Sequence, residues 1–138
     1  MVLYIKKKDL EKIFTHAKKC YPIEACGILA GKLVGGEKIV ERVYPTKNIL
    51  NSIFEYQIDP IEQAEIFDEA KSEGLNILGF YHSHPYWDCF WSTVDHERSK
   101  WWVGYSFLIV SLKTYNFSSY VRGKDNVEKE EIKITSTE

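Results

Sequence analysis

Cysteine is scarce in this 138-residue chain. The three that occur, Cys20, Cys26 and Cys89, cannot all pair within one molecule, and no two stand at C-x-x-C spacing, so neither a disulfide framework nor a thiolate zinc site is expected. A Cys20–Cys26 bridge does not suit a reducing compartment, and the thiols are read as small buried apolar groups. An excess of positive charge is also missing. Eighteen basic and 20 acidic residues leave a formal charge of -2, with no field to hold a phosphate backbone, so nucleic acid is not an expected partner. The short run Lys6-Lys7-Lys8 reads as the solvated shoulder of a helix. No long apolar run occurs, so no membrane span is predicted, and MVLYIKKK is too poor in apolar residues for a signal peptide. The chain is therefore expected in the cytoplasm. Repeats and low-complexity segments are absent too.

What is present suits one globular domain covering residues 1–138. Hydrophobic residues make up 44% and charged residues 28%, enough apolar surface for a single core and too little chain for two. A strand near Val2 to Ile5 precedes a helix marked by Leu10, Ile13, Phe14 and Ala17 at helical spacing, with Lys18 and Lys19 at its carboxyl end. Ala25 to Ala30 reads as a buried strand with Glu24 at its start; Gly31 and the Gly35-Gly36 pair are read as turns around a further strand. Strands are also predicted over Lys38 to Tyr44 and Phe54 to Ile58. Asp59-Pro60-Ile61-Glu62 opens a helix, with Asp59 as cap, Glu62 completing a capping box, and Ile61, Ala64 and Phe67 as the apolar face. Gly74 ends it. Leu75 to His84 is a continuous strand that Pro85 stops. A short helix from Thr93 and strands over Tyr105–Leu112, Tyr115–Val121 and Glu128–Ile134 follow. Strands interleaved with helices predict an α/β layered domain around a mixed sheet.

The chemistry gathers where that apolar strand ends. Residues two apart on a strand face the same way, so His82 and His84 present two imidazoles together while Ser83 faces the other side. Asp95 lies eleven positions after His84 and supplies an oxygen donor, with Ser92 three residues before it. Three protein ligands and an open fourth position are the pattern of catalytic zinc, whereas structural zinc closes all four. Each piece also has an ordinary explanation. A His-x-His pair satisfies itself with backbone or carboxylate partners, Ser-x-x-Asp caps a helix, and Glu24 reads equally as a solvated carboxylate at a strand's edge.

Taken together, Glu24, the sequence HSHP, seven residues from His84 to Ser92, and two more to Asp95 resemble the JAMM, or MPN-plus, metalloproteases. The flanks PIEACGILAG, FEYQIDP, GFYHSHP and GYSFLIVSL are similar as well, and the resemblance covers Pro22 to Leu112. It implies a three-layer α/β/α, cytidine-deaminase-like fold with a central mixed sheet. It also implies one catalytic zinc ion (Zn2+) on His82, His84 and Asp95, with Glu24 as proton-transferring base and Ser92 holding the reacting oxygen. The implied activity is hydrolysis of the bond after the C-terminal glycine of a ubiquitin-like modifier, freeing it from lysine. Tail trimming of a sulfur-carrier protein is the alternative substrate, and a non-catalytic MPN scaffold the alternative of another class. The chain departs from the family in one place. Tyr86, Trp87, Asp88, Cys89, Phe90 and Trp91 stand where small residues and proline are usual, which leaves open an apolar wall for a partner or ordinary core packing. Oligomeric state is not legible.

Overall fold

A computed structural model describes residues 1–136. Ten elements follow in order: β1 (Val2–Lys6), α1 (Lys7–Cys20), β2 (Cys26–Val34), β3 (Glu37–Thr46), α2 (Pro60–Ser72), β4 (Asn76–His84), α3 (Thr93–Arg98), β5 (Ser106–Ser111), β6 (Phe117–Arg122) and β7 (Val127–Thr135). The strands form one mixed sheet in the order β1-β3-β2-β4-β5-β6-β7, and β1 also pairs with β7, so the sheet closes on itself. β1 runs parallel to both neighbours and β4 runs parallel to β5; the remaining pairs are antiparallel.

Two apolar clusters define the layers. On one face Leu10, Ile13 and Ala17 of α1 pack with Leu3, Ile5, Leu29, Val40, Leu108 and Val110. On the other, Ile66 and Phe67 of α2 meet Cys26, Ile28, Phe80 and Phe107, together with Trp91 and Trp102 from either side of α3. The mixed sheet with helices on both faces matches the expected class. Its closure through β1 is a feature the sequence pattern did not announce, and it leaves no long unpaired edge among the described strands. No helix among the described residues is long and apolar enough to cross a membrane.

Four local readings are corrected. Gly31 is not a turn: β2 runs through it to Val34, and the register shifts between Ala30 and Gly31. A Cβ there would stand 1.8 Å from the Ile39 carbonyl oxygen, so the close crossing of β2 and β3 needs glycine. Phe54 to Ile58 forms no strand; only Ile58 makes an isolated bridge, with Asn48. On α2 the buried positions are Ile66 and Ala70, while Ile61 and Ala64 face solvent. Asp59 does cap, accepting from the Ile61 N–H at 3.1 Å, but Glu62 accepts from the Lys47 N–H instead of completing a box.

Candidate metal centre

β4 carries the two histidines into the middle of the sheet. His82 stands opposite Cys26 on β2 and Ile109 on β5, so both neighbours fix its backbone and hydrogen-bond it away from water. Both imidazoles lie on the α2/α3 face. Ser83 turns the other way, as the strand period requires, and its Oγ accepts the Ala25 N–H at 2.8 Å. That bond ties the histidine strand to the residue after Glu24.

α3 brings the carboxylate. Ser92 caps the helix: Asp95 N–H donates to Ser92 Oγ at 3.0 Å, and Ser92 N–H donates back to Asp95 Oδ2 at 3.1 Å. This capping box aims the Asp95 carboxylate at the sheet. Its Oδ1 lies 3.0 Å from His82 Nε2 and its Oδ2 lies 3.3 Å from His84 Nε2, with all three side chains nearly inaccessible. The capping reading and the ligand reading of Asp95 are therefore compatible: Oδ2 takes the cap bond and also faces His84, while Oδ1 faces His82 without a part in the cap.

The donor set fits a divalent metal. The three ligand atoms fall within 4.8 Å of one another. Donors held at about 2.0–2.1 Å in a tetrahedron sit about 3.3 Å apart, close to the 3.0 and 3.3 Å contacts seen. His84 Nδ1 bonds the Asp88 carbonyl oxygen at 2.8 Å; a carbonyl only accepts, so the hydrogen is on Nδ1, and in the neutral ring Nε2 is the nitrogen left to bind a metal. Both nitrogens of His82 are buried without a hydrogen-bond partner of good geometry, although Nε2 is near Asp95. Burial by itself would raise the Asp95 carboxyl, but the adjoining imidazoles, His82 first, hold it well below the ordinary carboxylate range.

Glu24 is wholly buried, and neither carboxylate oxygen has a hydrogen-bond partner. Burial first, then the negative charges of Asp95 and Glu55, push its carboxyl up to about 9. A solvated carboxylate at a strand edge is thereby excluded. The backbone around it is pinned, with Glu24 N–H donating to the Ser52 carbonyl at 2.9 Å and Asn48 Nδ2 donating to the Glu24 carbonyl at 3.0 Å.

Several neighbours carried no signal in the sequence. Tyr56 stacks on His82 with ring centroids 4.8 Å apart. Arg98 of α3 donates to the Tyr56 carbonyl at 3.0 Å, so the helix that presents Asp95 also holds the ring against His82. Asn48 anchors the whole 48–57 segment, donating to Glu55 and accepting from Leu50 and Gln57. The aromatic loop divides between the two roles left open for it. Trp91 packs into the core under α3, while Tyr86 and Phe90 are exposed. Beyond α3, Trp102 joins the core and the adjacent Trp101 stays outside. Cys89 points its Sγ at Ser118 Oγ, 3.3 Å away, and is not among the grouped metal donors. All three cysteines are free thiols. A cavity of about 450 Å³ between α2 and α3 shares Tyr56 with the centre but is not lined by Glu24, His84 or Asp95.

Known proteins resemble the chain over most of its length. A desampylase of Haloferax volcanii is 36% identical over 106 residues, covering 73% of this chain and 74% of its own. A probable TtuB-protein conjugate cleaving protease of Thermus thermophilus is 33% identical over 106 residues, covering 76% of this chain and 68% of its own. The solution structure of a Desulfitobacterium hafniense protein superposes with a TM-score of 0.88 at 34% identity, covering 99% of this chain and 94% of that one. A family model for prokaryotic homologs of the JAB domain matches residues 6–123. Since that match runs from the start of α1 to the end of β6, through every strand and helix that builds the centre, the chain belongs to the family of prokaryotic homologs of the JAB domain.

Proposed function

We propose that the chain is a zinc-dependent isopeptidase that frees a ubiquitin-like modifier from lysine side chains by hydrolysing the bond after the modifier's C-terminal glycine. One observation carries the reading: beside the buried His82–His84–Asp95 donors stands a buried carboxylate, Glu24, with no partner of its own. Relatives named for desampylation and for cleaving TtuB-protein conjugates supply the substrate class.

His82 Nε2, His84 Nε2 and an Asp95 oxygen would hold the zinc, which would supply Lewis acidity toward water and the scissile carbonyl and a charge opposing the burial that raises Glu24. The remaining work falls to the chain. The Glu24 carboxylate takes a proton from the attacking water and delivers it to the leaving amine, one group serving both transfers. Ser92 Oγ already accepts the Asp95 N–H, so its own hydrogen is free to donate to the oxygen on which negative charge grows. Tyr56 and the β2–β4–β5 backbone shut bulk water away from His82. The capping box holds Asp95 in place before the ion arrives, which lowers the cost of assembling the site. We place the reaction in the cytoplasm, a setting that suits three unpaired thiols.

The test uses zinc-quantified protein with an isopeptide-linked and a linearly fused ubiquitin-like substrate, with and without chelator, beside Glu24→Gln. Chelator-sensitive isopeptide cleavage that Glu24→Gln abolishes while retaining zinc is the expected result. Preference for the linear fusion would favour tail processing of a sulfur carrier. Absence of stoichiometric zinc, or full activity in the variant, would overturn the reading.

A further inference from the structure

The aromatic loop that departs from the family pattern lies beside the centre, and its place relative to Glu24 gives it a use. We propose that Phe54, Trp87 and Phe90 form a subsite for the aliphatic stem of the acceptor lysine, and that this subsite sets a preference for isopeptide over linear peptide bonds. The proposal rests on the isopeptidase reading and specifies which side of the scissile bond the rim serves.

The leaving nitrogen has to receive its proton from Glu24, so the leaving group lies on the Glu24 side of the centre. Phe54 is tied to that side. Glu24 N–H donates to the Ser52 carbonyl at 2.9 Å, and Phe54 N–H donates to Ser52 Oγ at 3.0 Å, so one serine links the backbone of the base to the backbone of the ring. Phe54 then stacks on Trp87 with centroids 6.3 Å apart and planes 10° from parallel. Trp87 and Phe90 stand 6.0 and 5.7 Å from the His84 ring. The rings thus reach from the segment that holds the Glu24 backbone to the His84 ring. Tyr21, three residues before Glu24, meets Tyr86 at 5.4 Å and continues the rim outward.

Phe54 and Phe90 lie open, and Trp87 between them is half-buried. Phe54 is 59% and Phe90 51% exposed, although nothing in the core requires large aromatics at either position. They are also held in place before any substrate arrives. Ser111 Oγ donates to the Trp87 carbonyl at 2.7 Å, and Asp88 is fixed by Thr114 Oγ1 at 2.7 Å and by the Cys89 N–H at 2.8 Å. A preordered aromatic wall binds without a large ordering cost.

The chemistry of the occupant follows from the bond that is cut. In an isopeptide the lysine Nζ is an uncharged amide nitrogen, and the next four groups are methylenes with no polar atom. Aromatic faces pack such a stem well. Each methylene removed from water changes affinity about fourfold, so partial cover of the stem reaches about tenfold. In a linear bond the leaving residue brings a Cα and then a backbone carbonyl and N–H to the same place, and those groups find no hydrogen-bond partner on the rings.

The experiment compares kcat/KM of the zinc-loaded chain on two substrates, TtuB isopeptide-linked to the lysine of a fluorescent peptide and TtuB fused linearly to that peptide. Phe54→Ala, at an exposed ring, and Trp87→Ala are each expected to lower the isopeptide-to-linear ratio about tenfold, mainly through KM, with Trp87→Phe recovering most of it. Titrations in a Glu24→Gln background, which need no turnover, should show the same loss in affinity for the isopeptide conjugate. A ratio unmoved by both alanine variants in an active enzyme removes the subsite and leaves the isopeptidase reading standing. A wild-type chain that binds zinc and cleaves neither substrate removes both.

Discussion

Burying a carboxylate with no partner has a cost that can be measured in the metal-stripped protein. Glu24 is held up to about 9, against 4.5 for an ordinary glutamate. At pH below 4.5 both folded and unfolded chains carry a protonated Glu24, and the group takes nothing from stability. As pH rises from there, the unfolded chain ionises while the folded chain does not, so stability falls by about 1.4 kcal/mol per pH unit until the folded value is reached. By pH 7 the loss is about 3 kcal/mol, an upper figure because a buried carboxyl relaxes when it ionises. Glutamine has the same shape and cannot ionise. Chelator-treated wild type and Glu24→Gln should therefore unfold together in urea near pH 4 and separate as pH rises, with the variant's midpoint about 1–2 M higher at pH 7 for an ordinary slope. Zinc added back narrows the gap, since a nearby cation favours the carboxylate. A midpoint difference that does not change with pH would show that Glu24 ionises in the folded protein as it does in water, and the burial argument would fail.

Three further expectations use the same centre and its support. Ser92→Ala should lower turnover about a hundredfold and also cost about 1 kcal/mol through the lost cap; a lowered unfolding midpoint with an unchanged rate per folded molecule would leave Ser92 as a cap alone. Asp95→Asn keeps an oxygen for the Ser92 N–H but loses the charge, so the protein should stay folded by circular dichroism while mass spectrometry finds it short of zinc, and stoichiometric metal would remove Asp95 from the ligand set. Gly79→Ala would place a Cβ 2.0 Å from the Ser106 carbonyl oxygen, prising β4 from β5 beneath the histidines; a loss of roughly 3 kcal/mol in urea denaturation is expected, and a wild-type midpoint would contradict that close approach.

Much of the centre was readable because its parts are local. The period of two puts His82 and His84 on one face and Ser83 on the other whatever the rest of the chain does. The spacing from Ser92 to Asp95 makes a capping box on its own terms, and the box aims the carboxylate. Asp59 and Pro60 start α2 where their chemistry says they should. The Phe54–Ile58 segment was misread for an equally physical reason. Its β-prone residues find no strand to pair with, since Asn48 takes up the backbone of Leu50, Glu55 and Gln57 with its side-chain amide. On α2, the choice between two apolar stripes depended on where Phe80 and Phe107 lie, which helical spacing does not contain.

By itself the sequence determined the donor types, their spacing, the elements that carry them and the layered class around a mixed sheet, all of them consequences of short-range periodicity and turn chemistry. Tertiary structure decided the rest. It closed the sheet through β1 and β7, brought a carboxylate from α3 within 3.0 Å of a strand histidine, set Tyr56 on His82, and buried Glu24 completely. A carboxylate's burial is decided by its surroundings, and the backbone at Glu24 and Ala25 is held by Ser83 of β4 and by Asn48 and Ser52, which reach it only when distant parts of the chain pair. Long-range pairing depends on the sum of many weak contacts, and no window of sequence records that sum.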